Sequence, residues 1–359
     1  MNEKLNGFQI FILIHMIQVG VGIFALPRIA AEYFGYNGWL MLVVVAAVVA
    51  FNIYLIWIVW KMGNGADIFT IFESYLPKWI VYPLYAIVGF TWSFTASLVA
   101  KEYVLIFQVT AFPTANPMTF MFVISLLAYL LLIKGFYTIV KASTVFFFLI
   151  LWMLPLEIPF FNDLQLSRYT FYIFQEGKEH WKGIFNLYGS YLGYELCMFL
   201  FPYVQQKVRF FTSVQLANAV SFLIYVSVCL VCFGFYSLQQ LKLIMFPCID
   251  LLAYIKFPFI ERAENILFSF LVFRVLITIV MYHWVASLCM QRIFTKSKFT
   301  RITFYLMVIT FLLSFIPSVL DEVGKWLFIC TYFTIAYSFV LPICLIGILS
   351  IQRWRKQLA

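Results

Sequence analysis

"IQVGVGIFALPRIA", residues 17–30, lies inside an apolar run that begins near residue 8. A helix meant only to cross a bilayer has no reason to carry two glycines, a proline and an arginine so close together. Glycine costs roughly 1 kcal/mol relative to alanine inside a helix. In lipid, each freed N–H and C=O also needs a partner in protein or in a water-filled cavity. Gly20–Gly22 therefore reads as a point of unwinding, with Pro27 just beyond it unable to donate a ladder hydrogen bond. A second stretch, "NLYGSYLGYELCMFLFP" (186–202), repeats the pattern: Gly189 and Gly193 interrupt an apolar run and Glu195 follows. One glycine pair alone is more simply explained by close helix packing. Two pairs roughly 170 residues apart in a 359-residue chain, each heading five apolar segments, point instead to an inverted repeat with a midplane site between the breaks.

The solvent for this chain is lipid. It is 64% hydrophobic and 11% charged, with a mean hydropathy of +0.97, more apolar surface than a soluble protein can bury. Segments of bilayer-spanning length, about 20 residues, fall near 8–33, 38–61, 79–109, 117–134, 141–161, 184–206, 214–236, 262–291, 300–319 and 326–350. The expected architecture is all-α: one transmembrane domain over 1–359, with a first repeat over about 8–161 and a second over about 184–350. The first segment is too long for a signal-peptide core and lacks a small-residue cleavage site, so it reads as retained. The net charge of +9 belongs to no soluble basic domain, which argues against nucleic acid. It collects instead in loops on one side (Lys61, Lys78, Lys134, Lys207, Arg292, Arg301), and the positive-inside rule then places both termini in the cytoplasm.

On the other side, the loop at 162–183 reads as structured. The one at 237–261, broken by Pro247 and Pro258, reads as a re-entrant or surface helix. Cys229 and Cys232 sit in an apolar run without a second pair and read as small helix residues. Three histidines and no metal-spaced cluster make a poor catalytic inventory, so neither an enzyme nor a bound cofactor or metal is expected.

"FQIFILIHMIQVGVGIFALPR", "GYELCMFLFP" and "FIERAENILF", in that order, resemble the B-subunit family of bacterial spore germination receptors. The resemblance runs over nearly the whole chain. It implies the amino acid–polyamine–organocation superfamily and its ten-helix, LeuT-like 5+5 inverted repeat with helices 1 and 6 broken. It further implies a nutrient-binding subunit, in the spore inner membrane or a bacterial cell membrane. Such a subunit works with a larger membrane subunit of the A type and a lipoprotein of the C type.

Within that frame Gly20, Val21 and Gly22 offer N–H groups to a ligand carboxylate, because the positive end of a half-helix attracts anions; a carboxylate ligand with an amine is an amino acid. Leu192 lies against the ligand side chain. Gly193 and Glu195 match the glycine–residue–glutamate pattern of the second break. Glu195 has three readings: holding a ligand amine, taking up a proton, or bracing the unwound backbone, with the last ranked first. Thr91, Thr95 and Ala96 are the candidates on the third helix, and Thr278 on the eighth. Arg28 and Glu32 read as an i,i+4 pair, and Lys101 with Glu102 as a local ion pair. Arg274 needs a counter-charge, for which Glu195 and Glu157 are the candidates. His15 and His283 are candidates for a coupled cation site, with ordinary core histidines the commoner outcome. Some transporters of the superfamily carry a coupling lysine within the fifth helix; here Lys141 lies at that helix's start, which puts the usual proton route in doubt. A secondary transporter of amino acids or polyamines is the rival reading.

Overall fold

The structure, a computed structural model, describes residues 4–205, 208–255 and 263–358. Glu3, Lys207 and residues 256–262, which include Pro258 and the head of "FIERAENILF", lie outside the described residues.

The first apolar run is interrupted where its glycines fall. Helix α1 spans Gly7–Gln18, begun by an Asn6/Gln9 capping box. A 3-10 turn follows over Val21–Phe24, and α2 resumes over Leu26–Phe34 with Pro27 in its first turn, where a missing N–H costs nothing. The sixth run breaks likewise. Helix α8 covers His180–Ser190, and beyond Gly193 the chain continues as a 3-10 segment, Tyr194–Tyr203. The two broken rods are antiparallel. Leu5 N–H donates to the Tyr203 carbonyl (2.8 Å) and Gln205 N–H to that of Leu5 (3.3 Å), joining the start of one to the end of the other. At the opposite end the Phe34 ring meets His180 at 5.6 Å.

Around this pair stand α3 (Met41–Met62), α5 (Lys78–Ala111), α6 (Pro117–Ile133), α7 (Phe136–Leu151), α9 (Phe210–Phe235), α13 (Val272–Ile293), α14 (Phe299–Leu313) and α15 (Leu320–Leu358). Among the described residues six helical segments are long and apolar enough to cross a bilayer alone, and α1, α6 and α14 are shorter apolar helices. Taken with the second broken rod, they make the ten expected crossings. The fifth run ends as a helix at Leu151, not near 161, because Pro155 and Pro159 force Leu154–Asp163 into 3-10 winding. Exposed Val44, Phe51, Phe122, Leu126, Phe148, Leu223, Ile309 and Leu312 form a lipid-facing surface. Helices α5 and α13 make the largest interface inside it.

Short helices complete the fold: α4 (Ile68–Glu73), α10 (Leu238–Leu243), α11 (Pro247–Leu252) and α12 (Ala263–Phe270). The 162–183 loop is ordered by hydrogen bonds to its backbone, among them one donated by the Asn37 side-chain amide Nδ2 to the Tyr172 carbonyl at 2.9 Å. The 237–255 stretch forms α10 and α11, with Leu241, Ile249 and Leu251 buried. The basic loops gather on one face. There Arg292 of α13 bridges to Asp67 and, at 3.6 Å, to Glu73, and Arg353 reaches the Met62 carbonyl (3.2 Å). Burial holds the Asp67 carboxyl above the ordinary carboxylate range even beside Arg292. Lys4, whose carbonyl accepts from Gln205, and Arg353 are the described residues near the two ends that sit on this face.

Candidate functional site

Helix α1 stops because Val19 leaves helical geometry at φ −83°, ψ 87°, and Gly20 is extended at φ −110°, ψ −151°. Val21 and Gly22 then head the 3-10 turn, so their N–H groups have no acceptor within it. The second break is made by Gly193 at φ +114°, a conformation open to glycine and strained for other residues. A Cβ there would also lie 2.5 Å from Ile17 Cγ2.

Glu195 is fully buried, and both of its oxygens are engaged. Oε2 accepts from Gly193 N–H at 2.7 Å and Oε1 from the Tyr282 hydroxyl at 2.8 Å. Of the three roles read from sequence, this geometry is the bracing one. A carboxylate in hydrocarbon is costly unless hydrogen-bonded; here it caps the unwound chain and ties it to α13.

A polar cluster joins the breaks behind them. Gln18 Nε2 donates to the Tyr191 carbonyl (3.1 Å), and Ser221 Oγ to Gln18 Oε1 (3.3 Å). The Tyr225 hydroxyl lies 2.8 Å from the Gln18 carbonyl and 2.6 Å from that of Ser190. Farther along, His15 Nδ1 meets Ser221 Oγ at 3.0 Å and its Nε2 meets Arg274 Nη2 at 3.3 Å.

In front of the breaks, a cavity of about 560 Å³ opens toward the face opposite the termini. Gly20, Val21, Gly22, Thr95, Leu192 and Thr278 line it, and so do Gln18, Ser190, Val99, Glu102 and Tyr282. At its mouth stand Arg28, Glu32, Lys182, Asp321 and Lys325. Six of the ten residues expected from sequence therefore converge. Gly193 and Glu195 shape the wall from behind without lining it. Thr91 lies a turn below, its carbonyl taking the Thr95 hydroxyl (2.8 Å), and Ala96 is fully buried, turned off the cavity stripe.

Four expectations about charged and histidine side chains resolve as follows. Arg28 and Glu32 do pair, at 3.8 Å. Lys101 and Glu102 do not: Lys101 Nζ reaches Met118 Sδ (3.0 Å), because successive residues on a helix point about 100° apart. Among the described residues Arg274 makes no ion pair with Glu195 or Glu157, although it lines a second cavity together with Glu157; its hydrogen-bond neighbour is His15, while Glu157 accepts from Ser227. The two histidines share no partner, since His283 Nδ1 pairs with Ser93 Oγ at 2.8 Å. Sequence reasoning missed Gln18 and the facing role of Glu102. A polar side chain beside the first glycine in an apolar run was the available signal.

Two antiparallel broken rods with a cavity at their breaks define a polytopic membrane protein of the LeuT transporter fold. The same architecture occurs in the hydantoin-bound closed form of Mhp1, a nucleobase–cation symporter (TM-score 0.63, 12% identity, 95% of this chain and 79% of that one). It occurs also in MhsT in complex with L-phenylalanine (TM-score 0.66, 14% identity, 98% and 90%). Within that class, residues 4–323 match the family of spore germination proteins, and the chain belongs to it. Its relatives include spore germination protein GerQB of Bacillus cereus (27% identity, 79% of each chain). They include also spore germination protein B2 of Bacillus subtilis (26%, 73% of this chain and 72% of that one) and GerLB of Bacillus cereus (22%, 90% and 88%).

Proposed function

We propose that this chain is the nutrient-sensing subunit of a spore germination receptor, and that an amino acid binds in the cavity between the two breaks. The observation that carries this is the pair of N–H groups of Val21 and Gly22, which head the 3-10 turn at the cavity wall. They are placed to take a carboxylate at the positive end of a short helical segment. Leu192 meets the ligand's side chain, and Thr95 and Thr278 flank it. Thr278 Oγ1 already bonds the Ile17 carbonyl (3.3 Å), so its part is to hold the α1 end in place. Ligand binding favours the arrangement in which both half-helices close on it, and the shift passes to partner subunits by differential affinity. Those partners are a larger A-type membrane subunit and a C-type lipoprotein. The membrane is the spore inner membrane or the bacterial cell membrane, with both termini cytoplasmic. The domain is one unit of two five-helix repeats, about 8–161 and 184–350.

A second reading is supported by the transporter fold itself: a cation-coupled permease for amino acids or polyamines. Purified protein in proteoliposomes separates the two when given labelled amino acids with and without a proton or sodium gradient. Saturable binding without accumulation, abolished by Gly22→Trp, is the result expected of a sensor. Gradient-driven accumulation overturns that role and makes the chain a transporter. Binding untouched by Gly22→Trp moves the site elsewhere.

A further inference from the structure

We propose that Glu102 is the cation-binding group of this cavity and that the nutrient it admits carries an ammonium or other positive charge. The inference rests on the cavity being the ligand site and adds to it the charge of the ligand.

Six charged side chains line the cavity, and five are settled among themselves or with near neighbours. Arg28 pairs with Glu32 (3.8 Å), Lys325 with Asp321 (2.6 Å) and Lys182 with Glu179 (2.5 Å), all on the exposed rim. Glu102 stands deeper and half-buried, with no hydrogen bond or ion pair among the described residues. Its neighbour Lys101 is turned away to Met118. Thr95, Val99 and Glu102 follow i, i+4, i+7 along α5 and line one cavity wall, a stripe of helical period. Over that stripe Glu102 lies about 10 Å along the axis from Thr95.

An unpaired carboxylate in a partly dry membrane cavity is costly, and leucine or glutamine would be cheaper there. What recovers that cost is a cation arriving with the ligand. The other acceptors that an amine would seek at the breaks are already engaged. Both oxygens of Glu195 are taken. The carbonyls of Ile17 and Tyr191 accept from Thr278 and Gln18, that of Gln18 from Gly20 N–H, and the single Tyr225 proton lies between the Gln18 and Ser190 carbonyls. The cavity thus offers N–H donors on the α1 side and one uncommitted anion on the α5 side, the complement of a molecule charged at both ends.

The test is ligand-induced thermal stabilisation of purified full-length protein. The variants are wild type, Glu102→Gln, Glu102→Asp and Gly22→Trp, each first shown to be monodisperse with an unliganded Tm near wild type. The panel holds amino acids, their des-amino carboxylic acids, linear polyamines, sugars and nucleosides. The expected result is that a positively charged or zwitterionic compound stabilises wild type. Its affinity then falls roughly 10- to 100-fold in Glu102→Gln, the range for losing a hydrogen bond to a charged group, with partial recovery in Glu102→Asp. An amino acid or polyamine bound equally well by Glu102→Gln overturns the role of Glu102 while leaving the cavity as the site. So does a sugar or des-amino acid that alone binds wild type and is blocked by Gly22→Trp. Binding that survives Gly22→Trp, or no stabilisation by any compound, overturns the cavity reading together with this one.

Discussion

The two helix breaks look alike in sequence and differ in structure. The first is open: a Cβ placed on Gly20 meets nothing within 4 Å, and one on Gly22 meets Ser190 first, 3.0 Å from its Oγ and 3.6 Å from its Cα. The second is sealed: Gly193 is pressed against Ile17, held at positive φ and capped by Glu195. The lesson is a division of labour. One break presents backbone to the cavity, and the other fixes where that backbone stands.

Substitutions that exchange the properties of the two breaks test this contrast. Gly193→Ala carries the largest expected effect. The positive φ costs about 1–2 kcal/mol and the clash with Ile17 about 1–3 kcal/mol, so the thermal midpoint in detergent falls sharply, and a midpoint within a degree of wild type breaks the comparison. Glu195→Ala follows, leaving Gly193 N–H and the Tyr282 hydroxyl unpaired in the interior at roughly 2–4 kcal/mol together. Glu195→Gln retains an acceptor for Gly193 and is expected to recover most of that loss in the same assay. Gly22→Ala is predicted to cost under about 1 kcal/mol of stability, since Ser190 has room to turn, while weakening ligand affinity measured by equilibrium binding. Gly20→Ala is the smallest, within about 0.5 kcal/mol of wild type; a large loss of stability there would show that the first break is not open.

The breaks were legible because glycine, proline and a lone glutamate are all out of place in an apolar span, whatever its neighbours. The brace between Glu195 and Gly193, a local contact, was one of three roles the sequence left open to Glu195 and the one ranked first. Which residues of α5 face the cavity was less legible. Thr91 and Thr95 share a stripe, but how far the cavity reaches along it depends on where α1 and α8 end. Ala96, one residue on, is rotated into the helix core. Partners of buried charges were the least legible. Arg274 found His15, 259 residues away, through the packing of α1 on α13, and no sequence period encodes that meeting.

The position of Tyr225 has a consequence in proton stoichiometry. Helices α1 and α8 run toward each other and end with their C-terminal carbonyls, Gln18 and Ser190, on either side of one phenol. Each such end carries roughly half an elementary negative charge, so the two repel. A phenol has a single proton and serves one carbonyl fully at a time. The half-helices are therefore held in apposition by a donor too few, and sliding one away from the other forfeits a single hydrogen bond instead of two. Helix α9, which supplies Tyr225 and lies outside both broken rods, is thereby the element whose displacement decides whether those two like-charged ends stay together.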